Sequence, residues 1–293
     1  MSRYRFITQE QSVAPACSLL GVSRSAFYQW RQQEDTPRRR GDATLSEQIA
    51  RIHRDSRGTY GVPRVQGQLR LEGITCGRQR LRRLMRDAGL SGQLRRRSRR
   101  TTLADPSHHA VAPDRVQRAF TPSAALNRVW VGDITYLRTG AGWAYLATVL
   151  DLASRRVVGF AVADHLRTSL VTEAFRMAVT ARRPQPGLVF HSDRGSQYTS
   201  REFKDLLAQH GTVSSLSRPH QCWDNAVAES FFATLKTELI HRRSWSNLAA
   251  VRLAVFEYVE GYYNRQRLHS SLGHRSPAAY EQAILQGAAT VAA

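Results

Sequence analysis

The sequence predicts small all-α modules of helix-turn-helix pattern, followed by an α/β core with a mixed five-stranded sheet. Three observations support this. From Arg128 onward, three strand-type apolar runs come in succession, and strands then alternate with helical stretches. Before Arg128, short apolar helical stretches are separated by Gly turns and begin at Ser or Pro. Basic residues outnumber acidic ones 43 to 23, a formal net charge of +20.

The first helical unit lies in residues 9–33. An apolar stretch, Val13–Leu20, meets Gly21 and Val22, and Ser23 is placed to cap a second helix from Arg24 to Arg31. A Gly turn and a capping Ser between short helices mark a unit that can set its second helix in a major groove. An ordinary helical hairpin has the same pattern. Arg24 and Arg31 are the basic candidates for DNA contact on that helix. Residues 35–42 combine Arg, Pro and Gly and read as a linker. A second module follows over 43–92, with helices expected at Leu45–Asp55, Pro63–Leu71 and Gly77–Asp87. Ile49/Ile52, Val65/Leu69 and Leu81/Leu84/Met85 supply its apolar spacing, and Pro63 suits a first helical turn. The arginines of its third helix, Arg78, Arg80, Arg82, Arg83 and Arg86, suit phosphate contacts, with Arg78 and Arg82 foremost. A solvated helix face explains each of them singly. Residues 93–127 lack periodicity and carry Arg95, Arg96, Arg97, Arg99 and Arg100 in one block. Like charges in a block repel, so this segment reads as a basic linker that orders on DNA.

Strands are expected at Arg128–Leu137, Trp143–Leu150, Arg156–Ala163 and Leu188–Ser192, with a shorter one at Thr212–Leu216. Helices are expected at Ser169–Ala181, Ser200–Gln209 and Asn225–Ile240. Three strands, then helix, strand, helix, strand, helix, is the element order of a ribonuclease-H-like fold. That core should occupy 128–240, with a Tyr- and Arg-rich helical extension over 241–293.

Three acidic residues stand out against this pattern. Asp133 interrupts the apolar run from Trp130 to Tyr136, Asp193 ends the run Leu188–Ser192, and Glu229 lies in the last core helix. A carboxylate within or at the end of an apolar strand is unfavourable unless it is paired or bound to a cation. Glu229 and Lys236 are seven residues apart and share a helix face, opposite Val227, Phe231 and Leu235. That helix is expected to bury its apolar stripe and turn Glu229 and Lys236 toward a groove. Asp133, Asp193 and Glu229 are therefore the expected catalytic and metal-binding residues. In phosphodiester chemistry two Mg²⁺ ions about 3.5–4 Å apart activate the attacking oxygen and stabilise the leaving one. Mg²⁺ takes hard oxygen ligands, so a few carboxylates suffice. Asp133 would bridge two ions, with Asp193 and Glu229 each holding one, and Mn²⁺ is the expected substitute. Asp224 reads as a helix cap and Asp151 as a turn former with Ser154, while Asp164 precedes a loop. His191, Arg194 and Gln197 are candidates to line the site, though packing within a strand equally explains His191.

Residues 1–127 contain 24 Arg, no Lys and 10 acids, whereas residues 128–293 contain 17 Arg, 2 Lys and 13 acids. A polyanionic partner, DNA or RNA, follows from that excess. A ribosomal-type or merely solubilising basic surface is the alternative. Cys17, Cys76 and Cys222 lack paired spacing, which argues against a zinc ribbon or a disulfide framework. The chain shows no targeting segment and no membrane-length apolar run, so a reduced, cytoplasmic protein without a membrane partner is expected.

Four motifs together carry a resemblance. They are Trp130-x-x-Asp133-x-Thr135-Tyr136; His191-Ser192-Asp193-Arg194-Gly195-Ser196-Gln197-Tyr198; Asp224-Asn225-Ala226-x-x-Glu229-Ser230-Phe231-Phe232 continuing to Leu235-Lys236; and Tyr263-Asn264-x-x-Arg267-x-His269-x-x-Leu272-Gly273 with Ser276-Pro277. Arg57-Gly58-x-Tyr60-Gly61 adds a fifth, weaker one. With 35 residues between Asp193 and Glu229, the chain resembles the second-reading-frame transposases of the insertion-sequence-three family, within the retroviral-integrase superfamily. The resemblance implies a bacterial, nucleoid-associated enzyme that nicks double-stranded DNA at element ends with two Mg²⁺ ions. The freed 3′ hydroxyl then attacks a phosphodiester of target DNA. It also implies that Lys236 contacts DNA near the element end. A homo-oligomer, at least a dimer, would hold paired ends, and the product of an upstream reading frame is a further partner. An inactive DNA-binding regulator and a ribonuclease-H-like nuclease without strand transfer are the competing readings.

Because the arginine excess lies in residues 1–127, DNA affinity is expected to fall steeply and log-linearly with salt. A chain beginning at residue 128 is expected to lose most of that affinity. Filter-binding titrations over a salt series check this, and equal binding by the shortened chain contradicts it.

Overall fold

The structure is a computed structural model and describes residues 3–10, 12–34, 36–93, 113–116, 125–218 and 225–291. Arg95, Arg96, Arg97, Arg99, Arg100, Cys222 and Asp224 lie outside the described residues. The chain divides into two compact units, residues 1–66 with 75–91, and residues 67–74 with 92–293. Among the described residues no helix is long and apolar enough to cross a membrane.

The first unit opens with three short helices, α1 (Arg3–Gln9), α2 (Val13–Leu19) and α3 (Arg24–Glu34). The sequence pattern identified the last two but not α1. Between α2 and α3, Gly21 takes a left-handed φ of 63°, which a glycine adopts without penalty. The Ser23 hydroxyl accepts from the Ala26 N–H at 3.1 Å, capping α3. Ile7, Ala16, Cys17 and Phe27 form the core of this trio, and Tyr4 stacks on Trp30 at 5.2 Å. The next helix, α4, runs Pro37–Asp55 and corrects the linker expected over 35–42. Thr36 caps it by accepting from the Arg39 N–H, and Pro37 occupies its first turn. Asp42 is then bound by Arg80 Nε at 2.6 Å and Arg83 Nη2 at 2.5 Å from α6 (Arg78–Asp87). These two arginines hold the Asp42 carboxyl below the usual carboxylate range, so they are structural rather than free for phosphate. The Arg57-Gly58-x-Tyr60 motif forms the turn after α4, with both Arg57 and Gly58 left-handed and Tyr60 buried. Helix α5 spans Val62–Leu71.

The second unit carries a mixed five-stranded sheet of order β3-β2-β1-β4-β5. Its strands are β1 (Val129–Thr139), β2 (Gly142–Asp151), β3 (Val157–Ala163), β4 (Val189–Ser192) and β5 (Val213–Leu216). The first three pair antiparallel, whereas β1–β4 and β4–β5 are parallel. Helix α7 (Thr168–Arg182) covers one face, burying Leu170, Val171, Ala174, Phe175 and Ala178 against Trp130, Val149 and Phe190. A side chain at Gly159 would fall on the Ala174 carbonyl oxygen, so glycine lets β3 and α7 touch. Helices α8 (Ser196–Thr199) and α9 (Arg201–Gln209) follow β4, and α10 (Ala226–Glu238) follows β5. The element order is that of the ribonuclease-H-like fold expected from the sequence.

The part expected to be a mobile basic linker includes one docked piece. Val116 packs with Val131, Leu152 and Ala228, and the Arg115 N–H donates to Ser215 Oγ at 2.9 Å. Residues 113–116 are therefore docked through Val116, while Pro113 and Arg115 stay exposed.

The C-terminal segment packs on the β3 edge of the sheet through side-chain hydrogen bonds. It contains α11 (Leu248–Phe256), a π-helical continuation Glu257–Tyr263 and α12 (Pro277–Val291). The Asn264 amide pairs with the backbone of edge strand β3, its Oδ1 accepting from the Val157 N–H at 3.0 Å and its Nδ2 donating to the Val157 carbonyl at 2.9 Å. Arg252 donates to the Val162 carbonyl further along that edge. An exposed strand edge invites pairing with other chains, and these side chains satisfy it. Glu281 of α12 accepts from Arg182, Arg156 and Ser154 at 2.7–2.9 Å. Glu238, at the end of α10, is fully enclosed. It accepts from Arg267 Nε at 2.8 Å, Arg267 Nη2 at 2.7 Å and the Tyr258 hydroxyl at 2.8 Å.

Removing one member of a buried ion pair strands the other charge, at about 3–5 kcal/mol. Arg267→Ala is expected to destabilise the chain by that order, and Arg267→Lys by less. Urea denaturation followed by tryptophan fluorescence measures both, and a loss below ~1 kcal/mol for the alanine variant contradicts the buried brace.

Candidate active site

Strand register brings the first two carboxylates together. In the parallel β1–β4 ladder Val131 lies opposite His191. Two residues further on, each chain delivers an aspartate, Asp133 on β1 and Asp193 just past β4. Neighbouring strands are about 4.8 Å apart, and residues separated by two point to one face. The two side chains therefore emerge side by side at the carboxyl end of β4. This approach depends on Gly132, because a Cβ there would collide with the Phe190 ring and come within 3.3 Å of Tyr198 Cε1.

Glu229 arrives from the other side of the sequence. Asn225 precedes α10, and its side chain donates to the Gly132 carbonyl at 3.3 Å rather than capping its own helix. That bond ties the start of α10 to β1, with Glu229 one helical turn beyond it. Glu229 is exposed, whereas Ala228, Phe231, Phe232 and Leu235 are buried. Val227 is only half-buried, so the apolar stripe is rotated slightly from Val227/Phe231/Leu235.

The electrostatics record the convergence. Burial pushes the Asp133 carboxyl well above the usual carboxylate range, and the charges of Asp193 and Glu229 push it the same way. The Ile134 N–H, donating at 2.8 Å, and the Lys236 ammonium oppose them. Asp193 is also raised by the protein around it, against the Gly195 N–H at 3.0 Å and His191. Among the described residues no three His, Cys, Asp or Glu side chains close into a ready metal-ligand set. The three carboxylates thus share one field without forming a finished cage.

Comparison with known proteins places this arrangement. Residues 124–222 and 210–277 each match a family described as Integrase core domain, and residues 40–98 match the HTH-like domain family. The transposase for insertion sequence element IS629 of Shigella sonnei is 38% identical, covering 94% of this chain and 94% of its own length. The putative transposase for IS986/IS6110 of Mycobacterium tuberculosis is 39% identical over 89% of this chain and 95% of its own. Transposase InsF for IS3A of Escherichia coli K12 is 34% identical over 95% and 98%. The chain belongs to the insertion-sequence transposase family. A weaker likeness is to the HTLV-2 integrase catalytic core domain in complex with magnesium, at 17% identity and a TM-score of 0.40 over 53% of this chain and 97% of that one.

In this transposase chain the remaining candidates separate by position. Lys236 is half-buried, and burial lowers its ammonium while the Asp133 charge holds it up, so it lies within electrostatic reach of Asp133. His191 is fully buried, between Ser215 Oγ at 2.9 Å and Ser217 Oγ at 3.2 Å, and packs within the sheet. Arg194 Nε donates to the Ser217 carbonyl at 2.7 Å, and Gln197 Nε2 donates to the Leu166 carbonyl at 2.9 Å. Both hold loops next to Asp193. Asp151 is buried and accepts from Ser154 and Asn127, as expected of a turn former. Arg24, Arg31, Arg78 and Arg82 are all exposed in the first unit. Sequence reasoning missed Gly132, Asn225 and Tyr198 as parts of the site. Tyr198 is buried, and burial together with the charges of Asp133 and Asp193 raises its phenol well above normal. Asn225 and Tyr198 are named positions of the quoted motifs, which was the available signal, whereas Gly132 falls at an unspecified position of Trp130-x-x-Asp133.

A carboxyl raised on folding binds its proton more tightly in the folded chain than in the unfolded one. Its stabilising contribution is therefore present at low pH and is lost as pH rises from the unfolded carboxylate value near ~4 through the raised folded values. In chelator, Asp133→Asn is expected to melt ~2 °C or more above wild type at pH 8, with the gap closing toward pH 4. Thermal melts across that range test it, and coincident curves at every pH contradict it.

Proposed function

We propose that the chain is a metal-dependent transposase that cleaves DNA strands at insertion-sequence ends and transfers the freed ends to target DNA. The observation that carries this reading is the common field of Asp133, Asp193 and Glu229, with Lys236 beside them, at the carboxyl end of β4. The donor set fits a hard divalent cation. It is all oxygen, it is anionic, and burial leaves Asp133 short of compensating charge. Asp133, Asp193 and Glu229 would hold two Mg²⁺ ions, or Mn²⁺ in their place. When bound, such ions lower the pKa of the attacking water or hydroxyl and stabilise the leaving oxygen.

The chain's own residues do the rest. Asp133 on β1 and Asp193 just past β4 would serve together, since the charge of one already acts on the other. Glu229 lies on an exposed helix face and completes the set by side-chain rotation. Lys236 supplies a localised positive charge for the DNA phosphate next to the cut. Asn225 and Gly132 keep α10 against β1, which sets the reach of Glu229. Arg24, Arg31, Arg78 and Arg82, with the basic block at 95–100, bind the phosphates of terminal repeats and target. The relatives are named as transposases of insertion sequences, which favours strand transfer over plain nuclease action. The three acids speak against an inactive regulator. Two ends must meet, so the working form is at least a dimer on DNA, with the upstream-frame product as a possible fusion partner.

Asp133→Asn, Asp193→Asn and Glu229→Gln are each expected to lower Mg²⁺-dependent nicking of labelled end DNA by roughly 10²–10³-fold or more. DNA affinity should stay within about threefold, because phosphate contacts lie elsewhere. Wild-type nicking by any one of them removes that residue from the site.

A further inference from the structure

The β1–β2 hairpin extends past the carboxyl end of β4, since β1 has its last β4 partner at Val131 while its β2 pairing continues to Thr139. One face of this overhang is closed. Leu137, Ala144 and Leu146 are buried on it, and the turn is fastened by the Gly140 N–H donating to the Trp245 carbonyl at 2.7 Å. The other face is open and aromatic. Tyr136 lies opposite Tyr145, and Arg138 lies opposite Trp143, so these four side chains share one face. Tyr136 and Trp143 are 53% and 54% exposed. Their rings stand edge to face at 6.3 Å, and Tyr136 meets Tyr145 at 5.3 Å. The edge-to-face contacts fix the rings before any ligand arrives, so little rotamer entropy is lost on binding.

We propose that Tyr136, Trp143 and Tyr145, with Arg138, form a stacking platform for unpaired bases of the DNA substrate. Aromatic faces that accept any base, beside a cation for the backbone, are what sequence-tolerant single-strand binding uses. The exposed Arg138 lies within the face and the exposed Arg167 lies beyond the end of β3. The acid nearest in sequence to that end is the exposed Asp164, next to Ala163, which pairs with Tyr145. Charge also disfavours a second copy as occupant, since two chains of net +20 would bring like-charged arginines together. Tyr136 is three residues from Asp133, about 10 Å along the strand, but on the opposite face. A strand reaches the platform by passing over the carboxyl end of β4, which places it on DNA flanking the cut. The platform rests on the reading of this chain as a strand-cleaving transposase.

The test uses the full-length protein and an unstructured oligonucleotide bearing 5-iododeoxyuridine. Photocrosslinking to wild type is expected to label peptides containing Tyr136, Trp143 or Tyr145. Trp143→Ala and Tyr136→Ala should each weaken binding to a forked DNA end by about tenfold and leave fully paired DNA unaffected, while Trp143→Phe retains fork binding. Crosslinks confined to other peptides overturn the proposal, and that result needs no variant to fold. A Trp143→Ala chain that keeps its fork preference but loses a dimer in sedimentation also overturns it, assigning the face to a second copy. If the platform fails while the carboxylate variants still abolish nicking, the enzymatic reading stands without it.

Discussion

In the second unit the one constraint on which most depends is the approach of Asp133, on β1, to Asp193, just past the end of the parallel strand β4, where the charge of Asp193 acts on the Asp133 carboxyl. The end of the β1–β4 ladder at Val131 and His191 sets this geometry. Phe190 lies directly beneath Gly132, so β1 cannot shift toward the core without collision. Asn225 pins the Gly132 carbonyl from the other side and brings α10 with it. Burial, with the charges of Asp193 and Glu229 behind it, raises the Asp133 carboxyl. Clustered, poorly compensated carboxylates favour a cation and repel an anion.

That frame depends on the C-terminal segment. The bidentate Arg267–Glu238 pair grips the end of α10 whose first turn carries Glu229. Tyr263 packs edge to face on Phe231 in the middle of the same helix, at 4.8 Å. Asn264, next in sequence, closes the β3 edge. The signature Tyr263-Asn264-x-x-Arg267 is therefore a structural brace, each member contacting α10 or the sheet. It acts on the carboxylates through α10 and not by touching them.

The arginine excess serves two purposes that composition cannot separate. Acids are few, and several are shared by more than one arginine, as Asp42 is by Arg80 and Arg83, and Glu281 by Arg156 and Arg182. Those arginines, with Arg267, stabilise the fold. Arg24, Arg31, Arg78 and Arg82 stay exposed. The net charge thus understates how much arginine is structural, and only the exposed remainder can meet phosphate.

By itself, the sequence determined the alternation of elements, the two short helices joined at Gly21, and which acids stand out from the pattern around them. Each of these is local. Apolar periodicity, a turn glycine and a carboxylate out of place in an apolar run are all visible within a few residues. Tertiary structure decided the rest. The helix from Pro37 absorbs the apparent linker: Thr36 and Pro37 start it locally, and Asp42 on it finds two arginines about forty residues away, a pairing that no local pattern reveals. Residues 113–116 pack because Val116 meets Val131, Leu152 and Ala228 across the fold. Tyr198, Asn225 and Gly132 become parts of one site only when β1, β4 and α10 converge. Hydrophobic period reports which face of an element is buried, but not what it is buried against, and a site made from three distant segments consists of those contacts.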